Sequence, residues 1–401
     1  MQEADGKAIF DKFGIRGTPT VLFLDPDGSE VDWIVGYGPP AEKYQDQVNK
    51  ALAGVDTIKS LNEQYAKDPK SIEVIFKMAG KYERRGNTEK ATEFYTQVIA
   101  VDPEGKKGMT EVQNEKVSYT QAAEFNLAGM AMSKRPPDAS LFQAFIKKYS
   151  DSPMVKQAYM RLSSYYGRTA PKEEATKFFE EYLARFPQDA DSYSAYVSRI
   201  IFDKDPLDKG IDLAEKAIAL AQENRRVGLY QSLGQLYLLK GDKAKAVEAA
   251  DEMIKVAASL PSPPGPASER AVTPMMMFVP TAARIYVEAG QFDKALAIYG
   301  PEYLKKYMDN FGVLGRYAQF WSTQGQNLDS ALVAAKKATE LSKDNYSFWS
   351  TLSDILLKQK KYDDALKAAE KALEIAPAQP SQIKESIKKR IEAIKAAQEK
   401  K

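Results

Sequence analysis

The chain has 401 residues, long enough for two or three ordinary domains or for one long repeat array. Hydrophobic residues at 44% and charged residues at 28% place it in the globular class, and 57 basic against 55 acidic residues give a net charge of +2, which lacks the concentrated basic surface of a nucleic-acid binder. Cysteine and histidine are both absent; this excludes disulfides, thiol catalysis and zinc–thiolate sites, removes the commonest general base and metal ligand, and argues against an active site in this chain.

No apolar run reaches membrane-spanning length. Residues 1–5 have neither the basic start nor the apolar centre of a signal peptide. The spacing predicts a short helix from Glu3 to Phe13, stopped by Gly14. Thr20–Leu24 is a β-rich run, and Asp25-Pro26-Asp27-Gly28 has tight-turn chemistry, with Pro presetting φ and Gly accepting φ > 0. Val31–Val35 is the return strand. Pro40–Leu52 carries Tyr44, Val48 and Leu52 four apart, as an amphipathic helix does. Asp25, Asp27 and Gly28 begin like a calcium loop, but Gly comes too early and no closing Glu follows. There is no phosphate-binding loop and no dinucleotide fingerprint.

Residues 3–53 resemble the back half of a thioredoxin-like domain. Thr18-Pro19 matches the turn that carries that family's cis proline, and the hairpin and Gly36 follow in order. The family's first strand, its cysteine-bearing helix and its second strand have no counterpart, so only Thr18 and Pro19 carry over, as a backbone platform beside a site that is absent. A two-stranded hairpin is marginal alone and exposes an apolar edge. The segment therefore reads either as part of a longer protein or as a remnant kept as a peptide platform.

From about residue 70 a helical pair recurs. Residues 75–103 show Ala79, Tyr82, Gly86, Ala91, Tyr95 and Pro103. The same frame fits Tyr159, Leu162, Tyr166, Ala175, Phe179 and Pro187, and then Tyr230, Leu233, Gly234, Tyr237, Gly241 and Ala246. It returns at Tyr286, Gly290, Ala295 and Tyr299, and at Trp349, Leu352, Ala365, Ala372 and Pro377. Weaker units fill residues 114–150 (broken at Pro136-Pro137), 191–222 (turning at Asp205-Pro206) and 311–341 (Leu314, Trp321, Gly325, Ala331). Residues 260–274 are an inserted Pro-rich loop, read as an extended connector rather than a ligand for another domain. In Met275-Met276-Met277-Phe278, core packing is the plainer reading and an adaptable peptide groove the other. Ser381–Lys401, with Ile383, Ile387, Ile391 and Ile394 on one face, reads as a polar capping helix; a membrane-surface or partner-binding helix is the alternative.

This frame resembles the tetratricopeptide (TPR) repeat, in which bulky first-helix residues close over a small Ala of the second helix. The resemblance implies a mainly α fold, a right-handed TPR-type α-solenoid preceded by an incomplete thioredoxin-like segment. The expected division is residues 1–54, a repeat array of about seven to eight helix pairs over 55–378, and the cap over 379–401. It also implies a concave groove that binds a protein or peptide. Groove-facing first-helix candidates are Lys77, Arg84, Arg161, Arg168, Gln231, Gln235, Arg284, Arg316 and Gln319, whose arginines and amides suit an extended acidic or polar peptide; an ordinary solvated face is the competing reading. The Lys and Asn that clamp chaperone tails in some family members would fall on Phe76 and Gly80, so that partner is not expected.

The expected function is a non-enzymatic interaction scaffold without cofactor. The alternative is the C-terminal part of a thiol–disulfide oxidoreductase whose cysteines lie upstream, with a part in cell redox homeostasis. Thioredoxin-plus-repeat proteins of this kind imply a bacterial, periplasmic or exported setting if a signal peptide precedes Met1, and a cytoplasmic one otherwise.

Overall fold

A computed structural model describes residues 4–15, 17–38, 40–112, 115–261 and 273–399, with side chains from residue 8 onward. The Pro-rich loop expected over 260–274 lies almost wholly outside the described residues. The chain divides into two compact units, residues 1–171 and 172–401. The break falls between the two helices of the repeat framed on Tyr159–Pro187.

The first unit begins with α1 (Ala4–Phe13), then β1 (Thr20–Leu24), β2 (Glu30–Val35) and α2 (Ala41–Leu52). Gly14 follows α1 at φ 59°, and the Thr18–Pro19 bond is cis. The strands pair antiparallel with Leu22 opposite Trp33 and Val21 opposite Ile34. Their turn closes through the Gly28 N–H on the Asp25 carbonyl (2.8 Å), while Asp27 Oδ1 accepts from the N–H of Ser29 (2.9 Å). Gly28 has φ 81°, which a Cβ would resist. On α2 Tyr44 and Val48 are half-buried on the expected face, but Leu52 is 72% exposed and its neighbour Ala51 is buried instead.

One face of the hairpin is covered, while Val21, Leu24 and Val35 remain exposed. Helices α3 (Ile58–Lys67) and α4 (Ile72–Arg84) cover it, and α5 (Thr88–Val101) pairs with α4. Trp33 and Leu22 join one apolar core with Ile58, Leu61, Ile75, Tyr82 and Phe94. Charges reinforce the contact. Lys81 pairs with buried Asp32, Arg85 pairs with Glu30 (2.6 Å) and lies 4.1 Å over the Trp33 ring, and Lys59 meets Asp25 at 2.7 Å. Helix α3 lies inside the span expected for the helical repeats, and Thr57 caps it by accepting from the Ser60 N–H.

After α5 the expected helical pair over 114–150 begins differently. A second hairpin, β3 (Met109–Val112) and β4 (Glu115–Ser118), precedes α6 (Tyr119–Met132) and α7 (Ser140–Lys148). Asp102 holds the approach to it by accepting from the N–H groups of Lys106 (2.9 Å) and Lys107 (2.7 Å). The segment from Glu115 to Ser118 is therefore strand, and the pair itself occupies 119–148. The unit ends with α8 (Val155–Arg168).

The second unit stacks helix pairs: α9 (Lys172–Arg185), α10 (Ala190–Asp203), α11 (Leu207–Leu220), α12 (Glu223–Lys240), α13 (Lys243–Ser259), α14 (Pro274–Glu288), α15 (Phe292–Tyr299), a short α16 (Pro301–Lys305), α17 (Phe311–Gln324), α18 (Leu328–Leu341), α19 (Tyr346–Lys358), α20 (Tyr362–Ile375) and α21 (Ser381–Glu399). The architecture is that of a TPR-type α-solenoid. Two turns inside pairs share one device. Gly241 ends α12 in the left-handed region and Asp242 caps α13, accepting from the Lys245 N–H; Gly86 and Asn87 do the same before α5. The frame residues are core. Leu233 and Tyr237 of α12 and Ala246, Ala249 and Ala250 of α13 are all buried where these two helices pack. At Gly234 a Cβ would sit 3.0 Å from Ile285 Cδ1 of α14, so the small residue sets how closely α12 and α14 approach. In the Met cluster, Met276 is core while Met277 is exposed.

Helix α21 lays Ile387 and Ile394 inward, with Ile383 and Ile391 against the α20 end. Arg390 Nε lies 2.5 Å from Asp354 Oδ1, and its NH2 group donates to Oδ2 at 3.0 Å. Burial pushes the Asp354 carboxyl above its ordinary value, and Arg390 opposes that. A raised carboxyl contributes stability below its unfolded pKa and loses it as pH rises through the folded value. Arg390→Ala removes the opposing charge and raises the pKa further. The variant should therefore lose most thermal stability near neutral pH, and the gap to wild type should shrink on acidification. A gap that widens in acid would contradict this account.

Candidate functional site

The first helices of the pairs carry the candidate residues. In the first unit these are α4, α6 and α8. Lys77 on α4 is already engaged, 2.7 Å from Glu73 and 3.0 Å from Asp56. Burial works to lower its pKa, but the hydrogen bonds to those two carboxylates outweigh it and hold the ammonium above its usual value. Lys77 is thus an ion-pair partner within the first unit. Arg84, Arg161 and Arg168 are exposed and make no hydrogen bond or ion pair among the described residues.

Arg161 lines a cleft of about 330 Å3 together with Glu83, Asn126, Gly129, Met130 and Ser133, over a floor that includes Phe125 and Phe142. Behind it runs a hydrogen-bonded chain. Tyr95 OH donates to Glu83 Oε2 (2.6 Å) and accepts from Asn126 Nδ2 (2.8 Å). Burial, and then the Glu83 charge, push the Tyr95 phenol well above its ordinary pKa, so it stays protonated and donating. The same hydroxyl feels the charge of Arg84, whose guanidinium reaches back over Gly80. Arg84 lines the cavity on the hairpin side, and Arg161 lines the cleft. Arg168, in the last turn of α8, lies outside the cleft lining.

In the second unit the candidates sit on α12, α14 and α17, which pack in that order. Gln231 and Gln235 are one turn apart and half-buried. Arg284 is tied to Glu288 at 2.8 Å on its own helix. Arg316 is exposed, and its charge reaches the Tyr299 and Tyr303 hydroxyls; Gln319 is exposed one turn on.

Glu83, Tyr95 and Asn126 were missed by sequence reasoning. Asn126 falls in the weak unit over 114–150, which carries no frame residues, so repeat position does not single it out. Thr18 and Pro19 are exposed at the turn, and beside them a mainly apolar cavity of about 190 Å3 lies between Phe13, Leu22, Trp33 and Arg85. Among the described residues no cluster of acidic side chains could hold a metal ion, and no helix is long and apolar enough to cross a membrane.

Family comparison resolves what these elements are. The model for a thioredoxin-like domain matches residues 2–52, and models for the tetratricopeptide repeat match residues 227–259 and 346–379. The chain carries a partial thioredoxin-like domain followed by tetratricopeptide repeats. The first repeat match corresponds to α12–α13 and the second to α19–α20, and the thioredoxin-like match ends with α2. Gln231 and Gln235 thus lie on the first helix of a matched tetratricopeptide repeat. Similar solved structures include a tetratricopeptide repeat protein from Parabacteroides merdae ATCC 43184, at 13% identity and TM-score 0.42, covering 68% of this chain and 98% of that one. Another is YrrB, a TPR protein with an unusual peptide-binding site, at 15% identity and TM-score 0.32, covering 53% and 97%. The Cut9–Hcn1 hetero-tetramer of APC/C matches at 12% identity and TM-score 0.37, covering 86% and 60%. No curated protein matches the chain.

Proposed function

We propose that this chain is a non-enzymatic interaction scaffold that holds an extended protein or peptide segment on the first-helix faces of its repeats. The observation that carries this reading is Arg161. It lines a polar cleft and has no partner of its own among the described residues. A guanidinium offers five donors in a planar fork, which suits a carboxylate arriving from outside. With the whole chain as bait, wild type should retain a partner in pull-down, and Arg161→Glu with Arg284→Glu should abolish retention. Unchanged retention by the double variant would move the site elsewhere.

A second reading is favoured by the thioredoxin-like match over residues 2–52. In it the repeats dock protein substrates for a thiol–disulfide oxidoreductase whose cysteines lie outside these 401 residues. The coding sequence upstream of Met1 tests it. An in-frame Cys-x-x-Cys some tens of residues earlier would favour it, and an immediate stop codon would remove its basis.

A further inference from the structure

We infer that the free edge of β1 is a homodimer surface: two copies of this chain pair β1 with β1, antiparallel about Leu22, and join their two-stranded hairpins into one sheet. The inference goes beyond the scaffold reading and does not depend on where a partner binds the repeats.

The edge is open, and the ladder shows which groups line it. Among the described residues β1 pairs with β2 alone. The Gly36 N–H donates to the Pro19 carbonyl and the Asp25 N–H to the Ser29 carbonyl, so the odd-numbered residues of this stretch exchange their bonds with β2. Thr20, Leu22 and Leu24 therefore turn their N–H and C=O groups away from β2. Helices α2 and α3 pack on β2, where Asp32, Trp33 and Ile34 are buried in succession, whereas no residue of β1 is buried.

The edge suits its own copy. Native sheet edges are blocked by lysine, proline or inward-pointing charge. Thr20-Val21-Leu22-Phe23-Leu24 carries none of these, so a second β1 meets no repulsion and no missing donor. A two-fold axis at Leu22 sets Leu22 opposite Leu22, Val21 opposite Phe23 and Thr20 opposite Leu24, each pair formed between copies. The outward residues then exchange both of their bonds with the partner. On one sheet face Val21 gains an aromatic neighbour, a favourable cross-strand pair. Val21 and Leu24 are 38% and 45% exposed, and Ile9, Phe10 and Val35 of the same segment are exposed too. The other strand, β2, carries Glu30 and Asp32 and lacks this neutrality.

Area sets the strength. Hiding a whole aliphatic or Phe side chain removes roughly 60–120 Å2 of apolar surface, so these five half-exposed side chains offer roughly 150–300 Å2 per copy. A standard interface takes about 800 Å2 from each partner. The dimer is therefore one that dissociates on dilution.

Sedimentation velocity of the full chain, from about 1 to about 300 μM, covers the range of such weak association. Wild type should pass from monomer to dimer and stop there, and the Leu22 and Leu24 amides should gain hydrogen-exchange protection as concentration rises. Val21→Lys puts a charge on the exposed edge, and Leu24→Pro removes an outward N–H that β2 does not use. Each should weaken dimerisation by about tenfold or more, with the near-UV circular dichroism of the dilute protein unchanged. The chain has no cysteine, so Val21→Cys gives a unique thiol. In this register the two Val21 positions are diagonal neighbours about 7–8 Å apart. A short bismaleimide should join Val21→Cys into a dimer and leave Met277→Cys, exposed in the second unit, as monomer. A chain that stays monomeric throughout, edge amides protected at every concentration, association that continues past the dimer, or a dimer untouched by Val21→Lys would each overturn the inference.

Discussion

Trp33→Ala will release the N-terminal segment from the first repeat. The indole is 5% exposed and is the deepest contribution of the hairpin to the core of the first unit. Truncating a buried Trp to Ala costs about 3–5 kcal/mol, because the transfer energy is lost and a cavity remains. The stacking of Arg85 on the ring is lost as well, worth about 0.5–2 kcal/mol in such partly desolvated settings. Arg85 would then hold only Glu30 and the Phe13 carbonyl. A hairpin of two strands has little stability of its own. The expected result is a lower urea midpoint for the first unit, with protease cleavage appearing first between α1 and α2 while α4–α6 stay protected. Cleavage that begins instead in α4–α6, or an unchanged midpoint, would show that the hairpin does not depend on this contact.

What could be read from the chain was what is local. Asp25-Pro26-Asp27-Gly28 specifies its turn with four residues, and the strands on either side follow. The Tyr and Ala spacings specify the repeats, because one helix pair buries them within its own frame or against the next. What could not be read was what joins distant parts. Lys81 and Asp32 are 49 residues apart, and Arg85 and Glu30 are 55 apart. No periodicity reports such pairs, so the cover that α3 and α4 give one face of the hairpin was not legible, while Val21, Leu24 and Val35 stay exposed as the expected apolar edge implies. The β3–β4 hairpin escaped for a different reason. Its strands are four residues each, largely polar, and joined without a Gly-containing turn signal. That unit carries no frame residues, so Asn126 could not be singled out by repeat position. The nine groove candidates came from repeat position alone. Position could not tell that Lys77 and Arg284 would meet carboxylates of their own, whereas Arg84 and Arg161 would not.

In the second unit the largest loss is expected at Trp321, and two substitutions separate its two roles. The ring is fully buried on α17, with Phe320, Phe292 and Tyr299 around it at centroid distances of 4.8, 5.7 and 6.3 Å. Its Nε1–H also donates to the Tyr299 carbonyl at 2.8 Å. That carbonyl ends α15, where helix carbonyls lack intrahelical partners. Trp321→Ala removes the ring and the donor together. The cavity alone should cost about 3–5 kcal/mol, and the orphaned carbonyl about 1–3 kcal/mol more, the two not strictly additive. Trp321→Phe keeps most of the packing and removes the donor, so it should lose only the smaller amount. Denaturant unfolding of both variants, followed by near-UV circular dichroism, measures the difference. A loss for the phenylalanine variant as large as for alanine would mean that the hydrogen bond to Tyr299, not the aromatic packing, holds α17 against α15. A negligible loss would mean that water takes over the carbonyl, and that the frame position of Trp321 is a matter of shape alone.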